Sequence, residues 1–270
     1  MKIQVLLTGS DGNCSLIKSK NTTILIDGGF KAKYKMEEII NPILMENKID
    51  GIIITHEHTD HLNSWTGRLS IMYDIPIYLH KKHYENEENR KTKYFTYDDK
   101  RSGLGEKRAE LIFIEENKEF IINDLKIYPF AVYHDAKKTL GYRFNDNELT
   151  YVTDCGFISN KIKKELLKSE NIALEFNYDK NLIINSKRNW ENKFRTLGKF
   201  GHLGNSEAVD FLILAKEKYN KIFKNIITLH SSQLHNTKEI LSNEIQKLLD
   251  KDINSNFFIS ERENNNIIDL

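Results

Sequence analysis

The segment GIIITHEHTDH, residues 51–61, constrains the fold of this chain more than any other stretch. A short apolar run rich in isoleucine is typical of a buried strand. The polar residues that follow it would therefore stand together at the C-terminal end of that strand. Groups of this kind crowd together favourably when a cation binds them. The segment thus predicts a metal site whose first four ligands are His56, His58, Asp60 and His61.

Three later segments have the same form, an apolar β-type run that ends at a metal-ligand residue. Residues 126–133, 149–153 and 224–229 are predicted strands, and they lead to His134, Asp154 and His230 respectively. Strand ends that meet at one edge of a sheet would bring these side chains to the first cluster. Histidine and aspartate ligands without cysteine suit Zn²⁺, Mn²⁺ or Fe²⁺.

Asp27 follows a fourth predicted strand, residues 23–26, and precedes two glycines. Two interpretations are open at this position. Aspartate before glycine is common in turns. A carboxylate near a metal site also accepts a hydrogen bond from a ligand histidine and orients its ring.

The remaining patterns predict a mixed α/β chain with one domain over residues 1–270. Further strands are expected at 3–7, 76–79 and 111–114, and a hairpin is expected around Asn123 and Asp124. Helical spacing of apolar residues occurs in four segments: 35–48, which contains Pro42, 62–72, 162–167 and 206–219.

Composition excludes several classes of protein. Lys and Arg (40) balance Asp and Glu (39), so the net charge of +1 gives no global positive field for nucleic acid. The 39% hydrophobic fraction is that of a folded protein, and the chain has no apolar run of about 18 residues that would span a membrane. Two cysteines provide no disulfide framework. We therefore expect a cytoplasmic protein, in the host cytoplasm if a phage encodes it.

Three segments contain candidate substrate contacts. Residues 81–108 are polar and predict either a solvated insertion or a lid, in which Tyr94 stands among cations. Residues 187–199, which include Arg195, are basic and aromatic, and predict either a solvated helix or a surface for a nucleic-acid backbone. In the segment GHLGN, His202 is a candidate to hydrogen-bond a substrate oxygen or to protonate a leaving group, and Asn205 is a candidate substrate contact. A turn role for His202 remains the alternative.

Several motifs together resemble the metallo-β-lactamase superfamily, and in particular its YycJ/WalJ-like branch. They occur in the order GSDGNCSLI, ILIDGG, THEHTDHL, HDA, LGYRF, YVTDCG, LEFNYD, GHLGNSEA and HSSQ, from Met1 to about Asn236. The resemblance implies an αββα sandwich of two mixed β-sheets flanked by helices. It also implies two divalent metal ions, with zinc or manganese expected. His56, His58, His134 and Asp154 would hold one ion, and Asp60, His61, His230 and the bridging Asp154 would hold the other.

The resemblance also implies hydrolysis of phosphodiester bonds, with Asp60 and His202 as catalytic residues. The neutral overall charge favours a cyclic or short nucleotide as substrate. A 5′-3′ DNA or RNA exonuclease is the alternative, which the basic stretch favours. A metal-dependent redox or binding protein on the same fold is a third possibility. One departure concerns Tyr178, which stands where the branch often has histidine. Homodimers are common in the superfamily, so a homodimer is also expected.

Overall fold

The computed structural model describes residues 1–85, 94–98, 106–263 and 266–270. The helices of these residues are α1 (Lys33–Glu46), α2 (Ser64–Tyr73), α3 (Lys81–Tyr84), α4 (Asn160–Lys168), α5 (Lys180–Asn185), α6 (Trp190–Leu197), α7 (Asn205–Tyr219) and α8 (Lys238–Leu249). The strands are β1 (Lys2–Leu7), β2 (Cys14–Lys18), β3 (Thr23–Ile26), β4 (Gly51–Ile53), β5 (Ile77–His80), β6 (Thr96–Asp98), β7 (Glu106–Arg108), β8 (Leu111–Ile114), β9 (Phe120–Ile122), β10 (Leu125–Val132), β11 (Thr139–Phe144), β12 (Leu149–Val152), β13 (Asn171–Glu175), β14 (Asn225–Leu229), β15 (Asn256–Phe258) and β16 (Ile268–Asp269).

Two seven-stranded mixed sheets form the centre of the fold. The first has the order β16-β1-β2-β3-β4-β5-β8, antiparallel as far as β3 and parallel from β3 to β8. The second has the order β15-β14-β13-β12-β11-β10-β9, parallel from β15 to β12 and antiparallel beyond. Strands β6 and β7 form a separate antiparallel pair.

Three apolar clusters divide the molecule into layers. The middle cluster joins the facing sides of the two sheets, with residues such as Ile24 and Ile53 from the first and Tyr142 and Ile227 from the second. A second cluster packs α1 and α2 on the outer face of the first sheet. The third packs α4, α7 and α8 on the outer face of the second sheet. This arrangement confirms the predicted sandwich of two mixed sheets flanked by helices.

The chain turns sharply where several strands end. Asp27, Asp154 and His230 follow β3, β12 and β14, and their φ angles are 62°, 49° and 52°. This left-handed conformation is uncommon for residues other than glycine, and it costs on the order of 1 kcal/mol or more at each position. The same conformation occurs at turns elsewhere, such as Asn145 and Asp146, so it marks sharp turns and here places three acidic or histidine side chains just after strand ends.

Helix α1 continues through Pro42, although proline breaks most helices. Both Pro42 and Glu38, whose carbonyl loses its helical donor, are exposed to solvent. Water can therefore satisfy that carbonyl. The predicted strands at residues 3–7, 23–26, 76–79 and 111–114 are confirmed to within a residue or two at each end.

The segment predicted to be an insertion or lid, residues 81–108, is described only in part, because 86–93 and 99–105 lie outside the described residues. Its described part comprises α3, residues 94–98 and β7. The carbonyl of Tyr94 packs against Gly67 in α2, where a Cβ atom would lie 1.6 Å from that oxygen. The lid, like the single domain, remains a prediction. Among the described residues, no helix is long and apolar enough to cross a membrane.

Candidate metal centre

The seven predicted metal ligands meet at one end of the two sheets. His56, His58 and His134 form one group of closely spaced ligand atoms, and Asp60, His61 and His230 form a second. In the first group, Nδ1 of His58 lies 3.2 Å from Nε2 of His134. In the second group, Oδ2 of Asp60 lies 3.5 Å from Nε2 of His61 and 3.4 Å from Nε2 of His230.

The carboxylate of Asp154 lies between the two groups. Its Oδ2 is 3.1 Å from Nε2 of His61, and its Oδ1 is 3.6 Å from Nε2 of His134. Oδ1 is also 3.5 Å from Nε2 of His230. Asp154 thus reaches both halves of the cluster, which is the position that a carboxylate bridging two ions would take.

Hydrogen bonds fix which nitrogen of each ring faces the cluster. Nδ1 of His61 donates to Oδ2 of Asp27 at 2.7 Å, and Nδ1 of His134 donates to the carbonyl of Gly201 at 2.8 Å. Both rings therefore direct an unprotonated Nε2 inward when they are neutral. A histidine whose outer N–H bonds to a carboxylate or a carbonyl is the usual form of a metal ligand. Asp27 occupies the orienting position that its sequence context left open.

The donor set fits divalent cations. Nε2 of His56 is buried and has no hydrogen-bond partner among the described residues, while Nδ1 of the same ring lies 3.0 Å from Oγ1 of Thr55. A buried polar atom without a partner costs free energy, and a cation would supply the partner. Five histidines and two aspartates, with no thiolate among them, suit Zn²⁺ or Mn²⁺. The cluster therefore implies divalent metal ions.

The electrostatics of the cluster couple its histidines to its buried carboxylates. Burial alone would raise the pKa of Asp154, but His230 and His61 outweigh it and lower the pKa well below its usual range. Burial alone would lower the pKa of His230, but Asp154, Asp60 and Glu175 raise it to about 10. Without metal, these histidines therefore hold protons that balance the buried carboxylates. A divalent ion replaces such protons when it binds.

Glu175 is a site residue to which the sequence analysis gave no role. It ends β13, is fully buried, and its Oε1 accepts from Nδ1 of His202 at 2.8 Å. Its Oε2 accepts from the backbone N–H of Cys155 at 2.7 Å and of Leu203 at 3.1 Å. Burial alone would raise the pKa of Glu175, but His202 outweighs it and lowers the pKa. The apolar run IAL, residues 172–174, leads to Glu175 and has the same form as the runs that lead to the other ligands.

His202 stands beside the cluster. Its Nδ1 lies 3.5 Å from Oδ1 of Asp154, and its ring stacks on that of His230 with centroids 5.0 Å apart. The hydrogen bond to Glu175 orients the ring, so that Nε2 is left for another partner. The geometry places His202 next to the metal ligands, and its catalytic role remains a prediction.

The three predicted substrate contacts lie in different environments. Arg195 donates to the carboxylate of Asp135, whose Oδ1 is 3.2 Å from Nε2 of His134, so Arg195 stands at the rim of the cluster. Asn205 is buried, and its amide exchanges two 3.0 Å hydrogen bonds with Asn236. Tyr94 packs against the apolar cluster that contains α2. Arg195 is joined to the ligand His134 through Asp135 alone, whereas Asn205 reaches the ligand His230 only through Asn236 and Asn177.

Comparisons with known proteins agree with this geometry. The family model of the beta-lactamase superfamily domain matches residues 22–219. Exodeoxyribonuclease WalJ of Streptococcus pneumoniae is 28% identical over 242 residues, which cover 88% of this chain and 84% of that protein. The anti-Pycsar protein Apyc1 of Paenibacillus xerothermodurans is 35% identical over 88 residues, covering 29% of this chain and 34% of that protein.

A solved structure has the same fold at low sequence identity. The metallo-beta-lactamase fold protein YhfI from Bacillus subtilis superposes with a TM-score of 0.69 at 14% identity, covering 99% of this chain and 98% of that one. The family model covers most of the chain and includes six of the seven clustered ligands, all except His230, along with Asp27 and His202. The chain therefore belongs to the beta-lactamase superfamily, on its metallo-β-lactamase fold.

Proposed function

We propose that this protein is a metal-dependent hydrolase that cleaves phosphodiester bonds of nucleic acids. The observation that carries the proposal is the position of Asp154 between two groups of ligands, with the His202–Glu175 pair beside it. His56, His58 and His134 would hold one ion and Asp60, His61 and His230 the other, with Asp154 shared. Zinc and manganese are the proposed metals.

Two bound divalent ions would lower the pKa of water and offset the negative charge of a phosphodiester. The chain's own residues have the remaining roles. Glu175 accepts from Nδ1 of the His202 ring, and its carboxylate balances the charge of the doubly protonated ring, whose Nε2–H gives its proton to the leaving oxygen. Asp60 accepts a hydrogen bond from the attacking water and orients it. Asp27 and the carbonyl of Gly201 hold the rings of His61 and His134 in place.

The end of a DNA strand is the proposed substrate. The likeness to exodeoxyribonuclease WalJ extends over most of both chains, which supports this choice. The exposed cations Arg188 and Lys199, in the basic stretch 187–199, also suit a substrate with several phosphates. This reverses the slight preference for a small nucleotide that the neutral overall charge suggested, because local rather than net charge faces the site.

A cyclic nucleotide is the second candidate. The 88-residue likeness to the anti-Pycsar protein Apyc1 favours it, although that match covers less than a third of this chain. The two candidates differ in size, since a cyclic mononucleotide needs no surface beyond the metal centre.

The test is to load the protein with Zn²⁺ or Mn²⁺ and offer three substrates separately. These are single-stranded DNA labelled at either end, 3′,5′-cyclic mononucleotides, and bis(p-nitrophenyl) phosphate. We expect stepwise shortening of the DNA and turnover of the aryl diester. The variant His58→Ala is the inactive control. Cleavage of cyclic nucleotides with DNA intact would favour the second candidate, and no turnover of any diester would favour a redox or binding protein. The predicted homodimer is tested by the mass in solution.

A further inference from the structure

Four aromatic side chains are exposed on α6 and on the segments that carry His134 and Gly201. Trp190, Phe194, Phe200 and Tyr133 have exposed fractions of 58%, 68%, 57% and 40%. Large apolar side chains grouped on a surface commonly mark a binding site. With the exposed cations Arg188 and Lys199, we call these residues the aromatic-basic surface.

The rings form two pairs. Trp190 and Phe194 lie on the same face of α6, with ring centroids 5.7 Å apart and planes inclined by 32°. Tyr133 and Phe200 lie 6.4 Å apart, and Phe157 packs behind Tyr133 at 4.9 Å. The helical rise from Trp190 to the end of α6 is roughly 10 Å. This length suits a few stacked nucleotides.

A buried cation packs against one ring of the first pair. Nζ of Lys193 lies 4.5 Å from the centre of the Trp190 ring and donates to the carbonyl of Ile184 at 2.7 Å. Lys193 is buried although its neighbours on α6 are exposed. The cation therefore fixes the indole from one side. Less conformational entropy is then lost when a ligand stacks on the other side.

The second ring pair is joined directly to the metal ligands. Tyr133 immediately precedes the ligand His134, and Phe200 immediately precedes Gly201, whose carbonyl accepts from that histidine. Gly201 packs tightly against the end of α6, since a Cβ atom there would lie 2.2 Å from the carbonyl oxygens of Arg195 and Thr196. The rings, the end of α6 and the metal centre are thus one connected structure.

The charges of this surface select an anion. In the part of the chain that the structure describes, neither Arg188 nor Lys199 has a carboxylate within 4 Å, whereas Arg195 is already paired with Asp135. Free cations beside exposed rings match the phosphates and unpaired bases of a single strand. A second copy of the chain would bring like charges together in a symmetric interface. A duplex would not present its base faces to the rings.

We propose that the aromatic-basic surface binds single-stranded polynucleotide by base stacking and leads its end to the metal centre. This inference rests on the proposed function and names the form of its substrate. It also explains how a chain with a net charge of +1 holds a polyanion, because stacking supplies binding that net charge does not.

Binding is measured without turnover. The chain has two tryptophans, Trp65 and Trp190, so the variant Trp65→Phe leaves Trp190 as the single indole. Titration of this variant with oligo(dT) in the presence of a chelator should quench its fluorescence with saturation. An abasic strand of equal length carries the same phosphates without bases. Equal quenching by the abasic strand, or no quenching by oligo(dT), would overturn stacking at Trp190.

Turnover separates this inference from the proposed function. For Phe194→Ala and Phe200→Ala, we expect the ratio of kcat/KM on a 30-nucleotide single strand to kcat/KM on bis(p-nitrophenyl) phosphate to fall about tenfold. Phe113→Ala is the matched control, because Phe113 is 52% exposed and lies in the first sheet. If the wild type is active and both variants keep its kcat/KM ratio, the stacking surface is refuted and the proposed function stands. Wild type without turnover on either substrate would refute the function. A dimer that Trp190→Ala dissociates would make the surface a self-interface and overturn the proposal.

Discussion

The carboxylate of Asp27 and the ring of His61 form a buried pair at the floor of the metal centre, with Oδ2 2.7 Å from Nδ1. Both side chains are fully buried. The carboxylate of Asp27 also accepts from the backbone N–H of Thr55 at 2.8 Å and from the Thr55 hydroxyl at 2.7 Å, so it anchors the second residue after β4. The side chain that follows β3 therefore orients a metal ligand and fixes the chain where β4 ends.

Asp27→Asn should weaken metal binding about 10- to 100-fold while the fold is retained, because the amide has nearly the same shape but loses the charge that orients His61. Competition with a chromophoric chelator measures the affinity. Asp124→Asn is the matched control, since this exposed aspartate also accepts hydrogen bonds from Ser19 and Thr22, but at the opposite end of β10 from the ligand His134. An Asp27→Asn variant with wild-type metal affinity would show that the Asp27–His61 pair does not strengthen metal binding.

Asp154→Asn should reduce the metal content from two ions per chain to one or fewer and lower turnover by at least about 1000-fold. The bridging position requires two anionic oxygens, and an amide offers only one acceptor oxygen. The backbone should tolerate the change, because asparagine adopts the left-handed conformation that residue 154 has. Metal analysis measures the number of ions per chain, and circular dichroism shows whether the variant is folded. Two ions per chain in the folded variant would be inconsistent with a bridging carboxylate.

The clustered ligands at strand ends could be predicted from the sequence because each follows an apolar run that must be buried. Asp154 and His230 needed no long-range information, only the position where β12 and β14 end. Glu175 ends the same kind of run, but its role depends on a hydrogen bond from the ring of His202, 27 residues later. The fold brings these two side chains together through the turn before α7, which local patterns do not reveal. The partner of Asn205 could not be foreseen either, since Asn236 is 31 residues away. Edge strands β15 and β16 were missed for the same reason, because their pairing with distant strands defines them.

His202→Gln should reduce cleavage of DNA by roughly 10²- to 10⁴-fold, the usual contribution of a general acid. Its effect on bis(p-nitrophenyl) phosphate should be much smaller, because nitrophenolate leaves without a proton. Glu175→Gln should also reduce cleavage of DNA more than cleavage of the aryl diester, but by a smaller factor. This substitution weakens the hydrogen bond that orients the ring of His202 and leaves the ring in place. The metal content is the accompanying measurement. Equal losses on both substrates, or loss of metal, would assign His202 to the ligand set instead.

Gly201→Ala should disturb the stability and the chemistry together. The added methyl group would lie 2.2 Å from the carbonyl oxygens of Arg195 and Thr196, so the loop must move away from α6. In the same loop, the carbonyl of Gly201 accepts from Nδ1 of His134, and the backbone N–H of His202 donates to the carbonyl of Thr196. We expect a loss of about 1–3 kcal/mol in the free energy of unfolding, as in other overpacked sites, and a fall of a few degrees in Tm. Gly198→Ala is the milder control, because its Cβ atom would meet the carbonyl of Phe194 at 2.9 Å. Thermal unfolding and metal titration of the two variants should rank Gly201→Ala as the more damaged in both, since only that substitution displaces a carbonyl that orients a metal ligand.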